Sequence, residues 1–445
     1  MKKVRYFIIP AALIIILLLS DIFFLYREYK LTPVAKERLE ALEIIYKGAK
    51  ESFGYWDLVP DLDWDGLYQE YRDRVKAARS DWEYYNELRR FVAYLRDGHT
   101  YVNVPVTTVL YILPIQLKYM EGQYVVWASV SDVGIPLGSV VTAMNDIKTD
   151  AYLEQCVGGL TGRFTPNTRQ GYLAEWIRYS DSRDTLKISA ITPDGKPIQA
   201  TLSYANNVQP TSSLQIKMPG KQVDAYTAMQ VYESEDGIYY IKLPDFLNND
   251  LGREFGVFVR QHGSKAKAFI LDARGNSGGN GGNALALLSY FSRLEDLSVF
   301  SAFDADALPL PEDYQFQLPD DYREQIAQFA YENDFYHGDL LKQPVMILTD
   351  WRCGSAGDDF VAYAKNTNRF TVIGTNTAGG TGMLVCYNLP GNGSFGTSSR
   401  HCYWGEDLNE IINVGIPPDI WVEQTIKDAL QGIDTVLTYA LDRLK

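Results

Sequence analysis

Residues 345–364 read VMILTDWRCGSAGDDFVAYA, and this stretch decides the fold. Its first part, Val345–Thr349, is the kind of largely apolar run that forms a strand buried on both faces. A short polar turn follows, and then Ala356, Phe360 and Ala364 recur at helical spacing. The stretch therefore predicts a buried strand, a tight turn and a helix, which together form the repeating unit of an α/β core.

Ser355 lies in that turn, directly before the predicted helix. A serine at such a position exposes its hydroxyl, and the first N–H groups of the helix face whatever approaches it. An acyl-transfer nucleophile needs this setting because the tetrahedral intermediate carries an oxyanion. A serine before a helix is also a common helix cap. The segment alone leaves both interpretations open.

A second loop, residues 272–282, reads DARGNSGGNGG and follows another apolar run. Its glycines allow the backbone to turn tightly and to approach a ligand closely. The loop is not a phosphate-binding loop, because no Gly-Lys-Ser/Thr follows, and it does not match Gly-x-Gly-x-x-Gly. The pattern favours a loop that donates backbone N–H groups to an oxyanion. A purely structural turn is the alternative.

The N-terminus predicts an uncleaved membrane anchor over residues 1–30. Three basic residues within the first five positions precede an apolar stretch, residues 7–26, that Ser20 and Asp21 interrupt. About 20 residues suffice to cross a bilayer as a helix, and the basic flank should stay in the cytoplasm. A cleaved signal is the alternative, but the small residues that precede a cleavage site are scarce. The remainder is predicted to lie outside the cytoplasm, on the periplasmic or cell-surface side of a bacterial membrane.

Three folded regions are predicted after this anchor. Residues 31–105 show helical spacing and end at the turn signal Asp97-Gly98, residues 106–210 contain strand-like runs separated by glycines, and residues 225–445 alternate strands with helices. At the end of the chain, apolar residues recur every three or four positions from Thr425 to Leu444. This spacing predicts one C-terminal helix.

Charge and cysteine content narrow the function classes. The net charge of −14 argues against a nucleic-acid partner, because little of the chain would neutralise phosphates. Cys386 and Cys402 flank a turn-rich segment, so they can form a hairpin disulfide or remain free thiols. The four histidines are isolated and no His-Glu-x-x-His is present, so we predict neither a metal nor another cofactor.

Five segments in chain order resemble one family, that of tail-specific, or C-terminal processing, peptidases, which includes the tricorn core protease. The segments are residues 97–100, 134–145, 272–279, 355–358 and 415–420. This resemblance implies an α+β multidomain fold: a helical N-terminal domain, a PDZ-like β module and an α/β catalytic core of crotonase-like ββα units.

The resemblance also implies roles for individual residues. Ser355 matches the family's nucleophile, and the N–H groups of Gly278 and Ala356 match its oxyanion donors. One branch of the family takes its base from a lysine in Thr-x-Gly-Lys-Gly, but Gly380 occupies that position here. The tricorn-like branch uses a histidine in the early motif, and His99 matches it. The resemblance therefore favours Ser–His over Ser–Lys chemistry.

The sequence departs from the tricorn-like branch at two positions. Gly98 stands where that branch has a serine before its histidine, and Ile412 stands where its acidic helper would fall. Glu410 is two residues away, on the same face if the segment is a strand. Glu410 is therefore the candidate for the acidic helper.

These observations predict a serine endopeptidase that acts on peptides or unfolded protein tails. The presence of all three residues, Ser355, Gly278 and His99, favours catalysis. The missing acid at position 412 favours an alternative from another class, a catalytically weak, membrane-tethered protein that binds peptides through its PDZ-like module.

Overall fold

The computed structural model describes residues 32–105, 110–131, 133–162, 164–206, 208–223, 225–297, 335–336, 338–405, 407 and 409–445. The predicted anchor at residues 7–26 lies outside the described residues, and so does most of a polar insertion between residues 303 and 338. Within the described ranges, no helix is both long and apolar enough to span a bilayer. The fold is mixed α+β, with several hydrophobic cores.

The N-terminal region is a cluster of helices. Its main elements are α1 (Pro33–Ser52), α2 (Trp64–Ala77) and α3 (Asp81–Ala93). Thr32 caps α1 by accepting a hydrogen bond from the Ala35 amide at 3.2 Å. Helix α3 buries Trp82, Leu88 and Val92, and Arg89 and Phe91 between them are buried as well. The turn that follows α3 carries His99.

The middle region is built on an antiparallel sheet of seven strands. These are β3 (Ile115–Met120), β4 (Gln123–Ser129), β5 (Val140–Met144), β6 (Ile147–Lys148), β8 (Thr185–Ile191), β9 (Pro197–Ser203) and β10 (Ser212–Ser213). A separate short pair consists of β2 (Tyr111–Ile112) and β7 (Tyr179–Ser180). Helices α4 (Thr149–Val157) and α5 (Pro166–Trp176) accompany the sheet, and α5 lies close to β3.

The C-terminal region contains a second seven-stranded sheet, the core sheet. Its strands in spatial order are β11 (Lys221–Gln222), β12 (Gln230–Glu233), β13 (Ile238–Lys242), β14 (Ala268–Asp272), β15 (Val345–Thr349), β16 (Thr371–Gly374) and β21 (Ile420–Trp421). The pairs from β13 to β21 are parallel. Every residue of β14 and β15 is buried, as their apolar runs predict. The loops that follow these two neighbouring strands meet at one sheet edge, where α/β proteins place their sites.

Helices cover both faces of the core sheet. The helices of this region are α6 (Leu251–His262), α7 (Gly281–Leu288), α8 (Leu294–Leu297), α9 (Ala356–Lys365), α10 (Ile426–Leu430) and α11 (Thr435–Leu444). Residues of α6, α7 and α9 share one hydrophobic core, whereas α11 packs on the opposite face of the sheet. Because helices cover both faces of the core sheet, its central strands contain few polar residues.

The prediction of one C-terminal helix is wrong. Residues 425–444 form two helices, α10 and α11, because Gly432 adopts a left-handed conformation with φ of +73°. Asp434 then caps α11 by accepting a hydrogen bond from the Leu437 amide at 2.9 Å. The apolar spacing continues across the break, so spacing alone did not reveal it.

A three-stranded sheet joins the N-terminal and C-terminal regions. It consists of β1 (Tyr101–Asn103), β18 (Gly393–Ser398) and β17 (Leu384–Leu389), in that order, and a short pair, β19 (Tyr403–Trp404) and β20 (Asn409–Glu410), lies nearby in the chain. Cys386 on β17 is exposed and Cys402 is buried, and both are free thiols. The pairing of β1 with β18 brings the His99 turn onto the C-terminal region.

Candidate active site

Ser355 occupies a strained position directly before α9. Its φ of 54° lies in the left-handed region that disfavours side chains other than glycine. Its amide donates to the Gly380 carbonyl at 2.7 Å and to a carboxylate oxygen of Asp358 at 3.1 Å. Backbone strain of this kind persists only where the surroundings enforce it, and it concentrates at functional sites.

The buried carboxylate of Asp358 fixes this turn to the loop after β16. It accepts hydrogen bonds from the amides of Ser355, Gly379 and Gly380, each at 3.1 Å. Burial raises the pKa of Asp358 to about 6, although these hydrogen bonds oppose the rise. Asp358 therefore holds together the two loops that carry Ser355 and Gly380.

Gly278 lies directly against the Ser355 side chain. A Cβ atom at Gly278 would come within 2.6 Å of the Ser355 Cβ, and the φ of Gly278 is 103°. Glycine is therefore required at this position. The N–H of Gly278 donates to the Asn276 Oδ1 atom at 2.9 Å. Ala356, the other predicted donor, is the first residue of α9, where amides lack partners within the helix.

Arg274 connects the glycine-rich loop to the end of the chain. Its guanidinium binds Asp272 through Nη2 at 2.7 Å and Asp434 through two nitrogens at 2.8 and 2.7 Å. Tyr240 also donates to Asp272 at 2.7 Å. Burial opposes ionisation of Arg274, but the two carboxylates outweigh it and raise the pKa of Arg274. This pairing offsets part of the negative charge of the two carboxylates and fixes the base of the loop.

His99 lies on the turn after α3, half-buried beside the same loops. Its amide donates to Asp97 Oδ1 at 3.0 Å, which fixes the turn. A Cβ atom at Gly380 would lie 3.6 Å from the His99 Cβ, so His99 borders the position that a lysine would occupy in a Ser–Lys site. Burial lowers the pKa of His99 below its ordinary value, whereas Asp97 and the Gly382 backbone act in the opposite direction.

The side chain bound to the His99 ring is Ser398, which the sequence did not reveal. The Nδ1 atom of His99 and the Oγ atom of Ser398 are 3.0 Å apart. Ser398 is the last residue of β18 and is fully buried. Nothing in residues 393–399 marks this serine, because the contact depends on the pairing of β1 with β18.

Gly98 is explained by an aromatic neighbour. A Cβ atom at Gly98 would lie 2.3 Å from the ring of Phe164, so a serine would require Phe164 to move. The ring of Phe164 is also stacked on Tyr172 of α5, with centroids 4.9 Å apart. The departure from the tricorn-like motif thus follows from packing, and Ser398 places a hydroxyl beside His99 from another element.

The structure does not bring Glu410 to His99, and this placement corrects the expectation from strand geometry. The Oε1 atom of Glu410 accepts hydrogen bonds from the amides of Ile411 and Ile412 at 3.1 and 2.9 Å. Its Oε2 atom lies 3.5 Å from Nδ1 of His401, a buried histidine. The strand β20 ends at Glu410, so the strand-face argument does not extend to position 412. Glu410 is paired with His401 instead.

Ser355 and His99 line one cavity of about 750 Å³. Loop glycines such as Gly279 and Gly380 line it, together with the exposed Ser277. Much of its wall comes from the segment between α4 and the end of α5, whose lining residues are Leu160, Thr161, Gly162, Phe164, Tyr172 and Trp176. The sequence analysis did not predict that residues between α4 and the end of α5 would line the cavity.

Comparison with known proteins agrees with this arrangement. Residues 237–422 match Peptidase family S41. A stretch of 110 residues is 28% identical to tricorn protease from Thermoplasma acidophilum; it covers 24% of this chain but only 10% of that protein. The chain thus matches about a tenth of the length of this curated relative.

Two solved structures share the overall fold at low sequence identity. Mature CPAF gives a TM-score of 0.69 at 14% identity, with 93% of this chain and 97% of that chain covered. Mature CPAF complexed with lactacystin gives 0.68 at 14% identity, with 93% and 98% covered. Residues 237–422 of this chain therefore resemble the peptidase domain of family S41, and Ser355 lies directly before α9 within this stretch.

Proposed function

We propose that the protein is a Ser–His endopeptidase that cleaves peptides or protein tails through an acyl-enzyme. The observation that carries this proposal is the convergence of Ser355, strained and directly before α9, and His99 on one cavity. Ser355 attacks the scissile carbonyl and His99 accepts its proton. Labelling of Ser355 by a fluorophosphonate tests the proposal.

The amides of Ala356, at the start of α9, and of Gly278, in the glycine-rich loop, stabilise the oxyanion. The N–H of Ala356 is in position at the start of α9, where the helix dipole also favours negative charge. The N–H of Gly278 donates to Asn276 in this conformation. Gly278 can contribute only by exchanging Asn276 for the substrate carbonyl oxygen as its acceptor.

One observation favours the alternative, a catalytically weak peptide-binding protein. Among the described residues, the ring of His99 has Ser398 as its side-chain partner and no carboxylate. A neutral hydroxyl orients an imidazole but stabilises its charged form less than a carboxylate does. Fluorophosphonate labelling separates the two functions, since a binding protein with an inert Ser355 does not react.

Ser398 positions His99, and Ser398→Ala should lower kcat by about fivefold to tenfold. The reason is the loss of one neutral hydrogen bond that orients the ring, worth about 1 kcal/mol. KM should stay close to the wild-type value, because Ser398 does not line the cavity. Ser399→Ala is the control, since the neighbouring Ser399 hydroxyl binds the Met383 carbonyl. A kcat for Ser398→Ala equal to that of the control contradicts the role.

We further infer that the middle region is a PDZ-like module that binds substrate ends. A groove of about 400 Å³ is lined by β3, by α5 and by the loop at residues 349–352. PDZ domains add a peptide to a sheet edge and hold its terminal carboxylate with backbone N–H groups. The indole of Trp351 packs against Gly171 of α5, so the groove adjoins the loop that precedes Ser355.

If the groove holds a chain end, amidation of a peptide's C-terminus should raise its KM by about tenfold or more. The amide cannot make the charge-assisted hydrogen bonds of the carboxylate. The measurement compares steady-state constants for one peptide with free and amidated termini. Equal kcat/KM for the two peptides would leave the module as a spacer.

We propose that the N-terminal segment anchors the enzyme outside the cytoplasm. Basic residues near the start and the apolar stretch at residues 7–26 support this topology. Mass spectrometry of the membrane fraction should find the protein with its N-terminal segment intact. A released form that begins near residue 21 would instead identify a cleaved signal.

A further inference from the structure

Arg89 is a buried guanidinium that lines the active-site cavity. It belongs to α3, retains only 6% of its exposure, and shares the cavity with Ser355 and His99. A buried guanidinium is expensive to leave without an opposite charge. Its surroundings therefore indicate whether its partner belongs to the protein or comes from outside.

The protein supplies no carboxylate to Arg89 among the described residues. Its Nε atom donates to the Val102 carbonyl at 3.1 Å and its Nη1 atom to Asn86 Oδ1 at 3.0 Å. Both acceptors are neutral. Other arginines on or beside α3 have acids: Arg90 pairs with Glu87 at 2.6 Å. The other arginine that lines the cavity, Arg352, forms an ion pair with Glu175.

The guanidinium is also held in one orientation. Its Cζ atom lies 4.3 Å from the ring centre of Trp176 and 5.3 Å from that of Trp82. Stacking on indole rings stabilises the charge without consuming the N–H donors at the guanidinium edge. Burial lowers the pKa of Arg89 to about 10, so it remains charged at neutral pH. Its partners are two neutral acceptors and two indoles, so no anion among the described residues balances its charge. The guanidinium can therefore bind a planar anion.

We propose that Arg89 binds a carboxylate of the substrate inside the cavity, so that the enzyme prefers peptides with an acidic group at one fixed distance from the scissile bond. This inference rests on the proposed peptidase function. The carboxylate belongs either to an Asp or Glu side chain or to the terminal residue. The two sources share the same chemistry at Arg89, and an experiment can distinguish them.

The test profiles cleavage sites in a peptide library prepared from denatured proteins, with free and with amidated C-termini. Wild-type enzyme should cut about tenfold more often where Asp or Glu occupies one subsite than where Asn or Gln does. If the terminal carboxylate is bound instead, cuts should fall at a constant distance from free C-termini and decline by a similar factor on amidation. Arg89→Gln should abolish either preference.

Two variants separate recognition from folding. Arg89→Lys keeps the charge but loses the planar fork, so the preference should weaken and persist. Arg90→Gln removes a neighbouring charge that does not line the cavity, and its profile should match the wild type. A wild-type profile without acidic or terminal preference, or one unchanged in both Arg89 variants, overturns the inference. If Ser355 reacts with fluorophosphonate but the enzyme cuts no peptide of the library, the inference is also overturned. If Ser355 does not react with fluorophosphonate, the proposed function itself is refuted.

Discussion

Ser355→Ala is expected to abolish fluorophosphonate labelling and to lower kcat by on the order of 10⁶-fold. The hydroxyl forms the acyl bond, and alanine offers no atom that can replace it. The fold should survive, because the Ser355 amide binds Asp358 and the Gly380 carbonyl, and alanine keeps that amide. Peptide mapping of the labelled wild type should place the adduct on Ser355.

Ser277→Ala is the matched control for the labelling experiment. Ser277 is exposed and lines the same cavity, yet it lies in the glycine-rich loop and not before a helix. The Ser277→Ala protein should be labelled at the wild-type rate. An adduct that remains in Ser355→Ala, or one mapped to Ser277, would show that the nucleophile has been assigned to the wrong residue.

His99→Ala should lower kcat by on the order of 10³-fold or more, because the nucleophile loses the group that accepts its proton. His262→Ala is the control: His262 ends α6 and packs on Phe258, away from the cavity lining. Its kcat should equal that of the wild type. Turnover of His99→Ala at the control's rate would remove His99 from the mechanism.

The pH dependence of kcat/KM gives an independent measure of the same base. A base must be deprotonated to act, so activity rises as pH rises through its pKa. Burial lowers the pKa of His99 below its ordinary value of 6.5, and Asp358, with its pKa raised to about 6, titrates on the same limb. The midpoint of the rise should therefore lie below pH 6.5. A midpoint above about pH 7 would indicate another base.

Sequence patterns predicted the elements whose partners are close in the chain. The apolar run Val345–Thr349 matches β15, and the helical spacing within residues 31–105 matches helices α1, α2 and α3. Ser355 was identifiable because a strand, a turn and a helix are contiguous around it. Such local patterns depend on the periodicity of strands and helices, which the sequence carries directly.

The parts that were missed depend on contacts between distant segments. Ser398 meets His99 across 299 positions, and Glu410 meets His401 because β20 pairs with β19. The sequence did not indicate Arg89 as a binding residue. Its surroundings, in which the described residues supply no carboxylate, include Trp176 from another region of the chain. A single sequence does not specify which distant segments pair, so it indicated Ser355 and His99 as candidates but not the residues around them.

The ion pairs of Arg274 make the glycine-rich loop depend on a distant part of the chain. Asp434 lies 160 positions after Arg274, yet it binds the guanidinium at the base of this loop. A fragment cut by proteolysis before residue 434 lacks this carboxylate. In such a fragment, Arg274 keeps Asp272 alone and the loop loses one of its two charged anchors. We therefore expect a single proteolytic cut before residue 434 to inactivate the candidate site, although the cut is far from Ser355 in the chain.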